Sequence, residues 1–380
     1  MKKSNDSVIY NHFPALFDRM IDQEVDHHEK SKVNNIIQNH GNRIGSQSLI
    51  SICLLSEHDR SDCNFIIDAH SIQNNGILNK LSEKGKVIYL NRERFDYTNV
   101  NKYLVGRNEA TVFRGFCKNH DEIFNPIEHK QYEFDNLQQN YLFAYRAFAK
   151  EYTNHQQDAE FFKRYIEELI NNSTLESILE KHGGDKIPGK DSREMRKKVV
   201  LKRHEIRKKQ IETLNKDLED LKQVMTINLL KEKYGKLESF TLSIPFQNTI
   251  ASSSLLYIYA DLNGRPFNQK LKYPSFLSIF PQNDSTIVLF SYLKKHRSYF
   301  SELISQIHNA SDYQKELIFS NILMKYGDNI VFSPNKFQRF DNKALEILST
   351  ALDSRTQMPG EKLVYYPLNL FRPNSYKPII

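Results

Sequence analysis

The chain has 380 residues, 39% of them hydrophobic, with 24 Phe and 20 Tyr but no Trp. That is enough apolar material to build cores, so a disordered chain is excluded, and the length favours two domains over one. The formal net charge of +7 leans towards a polyanionic partner, while three cysteines, an odd number, argue against a disulfide framework.

No apolar run follows the basic start Met1-Lys2-Lys3-Ser4. The longest apolar stretches, around Leu49–Leu55 and Leu255–Ala260, are strand-sized, well short of the roughly 20 residues that span a bilayer. The expectation is a cytoplasmic protein with reduced thiols and no membrane partner.

Residues 1–45 are polar with short apolar clusters such as Phe13-Pro14-Ala15-Leu16-Phe17, and read as a helical N-terminal segment. Residues 46–130 open with a strand candidate at Leu49–Leu55 and contain all three cysteines. Residues 131–184 read as three helices. The first opens at Asp135, with Gln138 at capping-box spacing, and carries Leu137, Tyr141, Tyr145 and Phe148 on one stripe. The second covers roughly Asp158–Ile170, and the third runs from Ser173 to the stop at Gly183-Gly184.

Residues 185–235 read as one long basic helix. Between Lys186 and Gln210 there are 11 Lys or Arg against 3 acids. Leu214, Leu218, Leu221 and Met225 then recur like a short coiled-coil seam, which packs either on the helix's own domain or on a partner. A homodimer or protein partner through residues 199–230, or through the C-terminal domain, is the corresponding partner expectation. Residues 236–380 mix strands and helices. Strands are read at Phe240–Ile244 and Leu255–Ala260, a hairpin at Ser275–Pro281 and Thr286–Leu293, helices near Ser298–His308, after Ser311 and near Lys343–Leu352, and a short strand at Asn329–Phe332. The fold class is therefore α+β.

Cysteine arithmetic singles out residues 53–120. Cys117-Lys118-Asn119-His120 is a C-x2-H pair preceded by the strand-like Thr111–Phe116. A strand that delivers such a pair to the first turn of a helix puts both ligands on one side, and a distant pair can complete a tetrahedron around Zn2+. Cys53 and Cys63 supply that second pair; if Cys53 is instead a buried apolar thiol, His70 or His58 becomes the fourth ligand.

Asp68-Ala69-His70-Ser71-Ile72-Gln73 lies between the two pairs. The order Cys…Cys, a short strand ending in histidine, then C-x2-H opening a helix resembles the HNH (ββα-metal) endonuclease family. The resemblance implies a zinc-anchored treble clef. It makes His70 the general base, and Asp121, directly after the second zinc pair, a holder of catalytic Mg2+ or Mn2+. Asp68 shares a strand face with His70 and joins them as a catalytic candidate. Ala69–Gln73, Gly115–Asp121 and Leu142–Tyr152 also resemble a set of bacterial proteins in which these three motifs occur together without an assigned activity. A zinc-containing nuclease acting on nucleic acid, DNA before RNA, with the usual role of such enzymes in defence against foreign DNA, is what the resemblance implies. Arg114, Arg196, Lys197, Lys198, Arg203 and Arg207 are the candidate phosphate contacts. The alternative is a non-catalytic zinc module that binds nucleic acid or protein, its C-terminal domain a sensor or partner platform.

Overall fold

A computed structural model describes residues 43–57, 63–90, 97–171, 190–245, 250–267, 273–353 and 362–372. Residues 1–42 of the expected N-terminal helical segment, the helix expected from Ser173, and His58 lie outside these residues, while residues 43–47 are helical. The chain divides into a larger unit, residues 52–151 with 224–380, and a smaller one, residues 1–51 with 152–223.

The larger unit is α+β. Its first strands are β1 (Ala69–His70), β2 (Lys86–Leu90), β3 (Leu104–Gly106) and β4 (Val112–Phe113), followed by the one-turn helix α1 (Lys118–Asp121). The long helices α2 (Leu137–Asn171) and α3 (Lys190–Leu230) come next in the chain, with residues 152–171 and 190–223 of them belonging to the smaller unit. Strands β5 (Leu237–Ile244), β6 (Ile250–Leu256), β7 (Ser275–Gln282) and β8 (Ser285–Leu293) lead to helices α4 (Arg297–Asn309) and α5 (Asp312–Tyr326), strand β9 (Ile330–Phe332) and helix α6 (Asn342–Asp353).

Seven strands form one antiparallel sheet in the order β3-β2-β9-β6-β7-β8-β5. The sheet takes β2 and β3 from the segment read as a zinc domain, and five strands from the segment read as a C-terminal domain. The boundary expected at residue 130 therefore does not separate two cores. Its cause is the pairing of Ile88, Tyr89 and Leu90 with β9.

Alternate side chains of the central strands reach opposite faces. Ile88, Ile279, Val288, Phe290 and Phe332 pack with Phe300, Leu303, Phe319, Ile322 and Leu348 of the C-terminal helices. Val87, Ala251, Phe280, Ile287, Leu289 and Val331 pack with Ile72, Ile77, Leu78 and Leu81, just beyond His70. Burial on both faces explains the apolar run Ile287–Phe290 within β8. It also seats the His70 strand against the sheet.

Several local expectations shift. Leu49–Leu55 is not a strand, although Ile52 N and Leu54 N donate to the Arg114 and Gly115 carbonyls. The strand expected at Leu255–Ala260 lies earlier, at Ile250–Leu256, because Ser252, Ser253 and Ser254 are buried in it and the Ser252 and Ser254 hydroxyls bond each other at 3.0 Å. The helices expected at Asp135 and Asp158 are one. Its start is capped by Asn136, whose Oδ1 accepts from Gln139 N at 3.1 Å, while Asp135 takes a left-handed φ of +62°. No Gly or Pro interrupts residues 137–171, so nothing breaks the helix.

The hydrophobic seam of α3 is occupied within the chain. Tyr141 Oη donates to Met225 O at 2.6 Å, and the Tyr145 and Thr226 hydroxyls are 3.0 Å apart in the larger unit. In the smaller unit Tyr152 Oη donates to Glu219 at 2.5 Å beside the buried Leu218 and Leu221.

Candidate metal centre

The segment Arg114–Lys118 is held by chain on two sides. Ile52 and Leu54 donate to it from one side; from the other, Ile67 N donates to Phe116 O at 3.0 Å, Lys118 N to Phe65 O at 3.2 Å, and Ile66 bridges to Cys117. Beneath it Phe116 packs edge-on against Phe113 and Phe124, with ring centres 5.9 and 5.2 Å away. This aromatic wedge and the flanking backbone bonds bring Cys53 and Cys63 beside Cys117, which are distant in sequence.

Cys53, Cys63, Cys117 and His120 have ligand atoms that all lie within 4.8 Å of one another. His120 Nδ1 stands 3.2 Å from Cys53 Sγ, 3.5 Å from Cys63 Sγ and 3.3 Å from Cys117 Sγ. Tetrahedral Zn2+ with ordinary Zn–S and Zn–N bonds separates sulfur from nitrogen by about 3.6 Å. The observed spacing fits that tetrahedron with a small outward adjustment. Cys117 also caps α1, its Sγ accepting from His120 N at 3.5 Å, which fixes the C-x2-H pair on one side of the turn.

Thiol chemistry points the same way. Burial, followed by the neighbouring Cys53 and Cys117 sulfurs, pushes the Cys63 thiol up to about 12. Cys117 moves the opposite way: burial opposes its thiolate, but the backbone N–H groups of His120 and Asn64, with the other two cysteines, bring it below the ordinary thiol value. Three crowded sulfurs cannot all ionise unaided, and a bound divalent cation would supply the missing charge. The donor set suits zinc, which would be held by these four residues.

His70 is not part of this cluster. Its Nδ1 lies 3.0 Å from Ala110 O, and since a carbonyl only accepts, Nδ1 carries the proton and Nε2 the lone pair. Burial holds the imidazole below its ordinary 6.5, against the opposing pull of that hydrogen bond. Asp121, at the end of α1, has a buried Oδ1 without a hydrogen-bond partner. Burial pushes its carboxyl up, the Arg146 guanidinium opposes that shift, and Glu128 adds to it.

Asp68 and Arg114, expected as a catalytic residue and a phosphate contact, are paired with each other at 2.8 Å on a half-exposed face. Among the described residues, the Cys53–His120 group is the one convergent set of three or more Cys, His, Asp or Glu. Arg196, Lys197, Lys198, Arg203 and Arg207 fall on the N-terminal half of α3, with Arg196, Lys197, Lys198, Arg203 and Arg207 side chains outside the described part.

Two groups near the site escaped the sequence reading. Arg146 is 3% exposed, stacks 4.1 Å above the Phe124 ring and pairs with Glu128 at 2.5 Å. An arginine inside the apolar stripe Tyr141–Phe148 was the available signal. Thr111 is 1% exposed and takes a φ of +63°, which no residue pattern announced.

No helix among the described residues is long and apolar enough to cross a membrane. Comparison with known protein families, curated proteins and solved structures finds no match to this chain.

Proposed function

We propose that the chain is a zinc-anchored, HNH-like endonuclease that hydrolyses nucleic-acid phosphodiesters, DNA before RNA, in defence against foreign DNA. One observation carries the reading. Cys53 completes the Cys3His set, so His70 is spared as a ligand and keeps an unprotonated Nε2. In this reading Nε2 takes a proton from water, whose oxygen attacks the phosphorus as the bond to the leaving sugar oxygen breaks. A general base contributes about 10²–10⁴-fold. Asp121, with its unpartnered buried oxygen, would hold Mg2+ or Mn2+, which supplies charge stabilisation of the phosphorane and the leaving oxygen. Mg2+ commonly takes one or two carboxylates with water and phosphate filling the remainder, so a single protein carboxylate is compatible with such a site. The zinc would fix the hairpin and helix from which both groups project.

The second reading, a non-catalytic zinc module, draws on the Asp68–Arg114 pair, which occupies two of the proposed functional side chains with each other. The test is incubation of the pure protein with plasmid DNA in Mg2+ or Mn2+, beside His70→Ala. Cleavage by the parent alone supports the nuclease. DNA binding without cleavage by either protein leaves the module.

A further inference from the structure

Ala110 O and Thr111 O are successive carbonyls that serve the same strand. Ala110 O receives His70 Nδ1 at 3.0 Å, and Thr111 O receives both Ser71 N and Ser71 Oγ at 3.0 Å. An extended strand turns successive carbonyls to opposite sides. Here the left-handed φ of +63° at Thr111 turns both towards β1. That conformation is an outlier for a β-branched residue, and it persists only where the surroundings impose it. The Thr111 hydroxyl does not explain it, being buried without a hydrogen-bond partner.

Ser71, which bonds Thr111 O, is itself held from the distant end of the chain. Asn329, fully buried just before β9, donates through Nδ2 to Ser71 Oγ and to Ser253 O, each at 2.9 Å. The chain of contacts is continuous: Ser253 of β6 and Asn329 fix Ser71, Ser71 fixes Thr111 O, and the next carbonyl back holds His70. We infer that Asn329, Ser71 and Thr111 form a latch that positions His70, locking its imidazole in the Nδ1–H form from the frame of the large sheet. None of the three touches substrate in this account; they are positioning residues. The catalytic consequence rests on the nuclease reading above, whereas the orientation of His70 does not.

The latch is tested on the full-length, zinc-loaded protein by nuclear magnetic resonance of isotope-labelled histidine, above the imidazole titration. That spectrum reports which ring nitrogen carries the proton, whatever the activity. In the parent, His70 is expected as a single Nδ1–H tautomer. Ser71→Ala removes the hydroxyl link but keeps the Ser71 N–H bond to Thr111 O. It should introduce the Nε2–H form, with zinc content and KM retained, and lower kcat about tenfold, as expected for a misplaced catalytic group. Ser71→Thr keeps a hydroxyl and should return the single tautomer. Asn329→Ala should resemble Ser71→Ala, and if it fails to fold, Ser71→Ala still decides. An unchanged tautomer and kcat in Ser71→Ala overturns the latch and leaves the nuclease reading intact. A changed tautomer in Ser71→Ala, beside a parent that cleaves nothing, upholds the latch and overturns the nuclease reading.

Discussion

Cys53 Sγ lies 3.2 Å from Nδ1 of His120, a residue 67 positions further along the chain. The contact closes the cluster, and it places a thiol from a turn otherwise buried among Leu54 and Leu55 at the metal position. One zinc per chain is expected by elemental analysis of the purified protein. Cys53→Ala should lose more than half of it, because three ligands leave the tetrahedron open. Chelation of the parent should lower its thermal midpoint by several degrees, since binding energy at a structural site is folding energy. Full zinc retention in Cys53→Ala would assign the fourth ligand elsewhere.

His70→Ala is expected to lower the cleavage rate about 10²–10⁴-fold and to leave zinc content and DNA affinity near the parent's. The base acts in the transition state and contributes little to ground-state binding. The pH profile carries a sign. Burial lowers the His70 pKa below 6.5, so its lone pair survives at pH values where an exposed imidazole is already protonated. The acidic limb of kcat should therefore fall below pH 6.5, and the rate should be lost only as pH drops through the shifted value. The same shift makes folding stability decline below the unfolded value of 6.5, where the unfolded chain binds the proton first. An acidic limb above that value would mean that another group is being titrated.

The cluster was legible in part because the C-x2-H half of its signal, Cys117 with His120, is local. That pair needs no knowledge of the rest of the chain. The hairpin β7–β8 was equally open, as Asn283 and Asp284 separate two apolar runs and Asn283 accepts a left-handed φ of +50°. What escaped has a common cause: the deciding partner is remote or the polar group is buried. Ser252, Ser253 and Ser254 resemble a loop until their pairing with β7 is known. Gln139 resembles a surface residue, yet it accepts from Glu133 N and donates to the Pro126 and Gln131 carbonyls. Lys86–Leu90 reads as part of a small zinc domain until β9, some 240 residues away, pairs with it. Here residue spacing anticipated which donors converge, and missed which strands share a sheet.

Glu316 of α5 is 1% exposed and accepts from Arg372 Nε and Nη2, each at 2.6 Å, and from Asn369 Nδ2 at 2.8 Å. Ser320 and Asn321 on the same helix bond the backbone of Leu370 and of Tyr365 and Tyr366. This polar stripe clasps residues 362–372 against the core. Arg372→Ala strands the Glu316 carboxylate in the interior and should cost about 3 kcal/mol in urea unfolding, at the low end for a broken buried pair because Arg372 is partly exposed. Glu316→Gln with Arg372→Met should recover much of the loss, since no buried charge is left over. Equal loss in the single and double variants would show that the ion pair is not what holds the segment.

The N-terminal half of α3 tests the expected partner. Charge is its distinguishing property: between Lys186 and Gln210, Lys and Arg outnumber acids by 11 to 3. Such a run either lies along a phosphate backbone or is simply solvated, and salt dependence separates the two. Each neutralised phosphate releases condensed counterion, with a slope of about 0.9 per contact on a logarithmic plot of affinity against salt for duplex DNA. Changing Arg196, Lys197, Lys198, Arg203 and Arg207 to Gln keeps helix propensity, so α3 should persist by circular dichroism. If all five sit on phosphates, the slope falls by about 4.5 and affinity at low salt drops by several orders of magnitude. If two do, it falls by about 2. An unchanged slope in a filter-binding titration, with the helix intact, would mean that this charge faces water and that DNA, if bound, is held elsewhere.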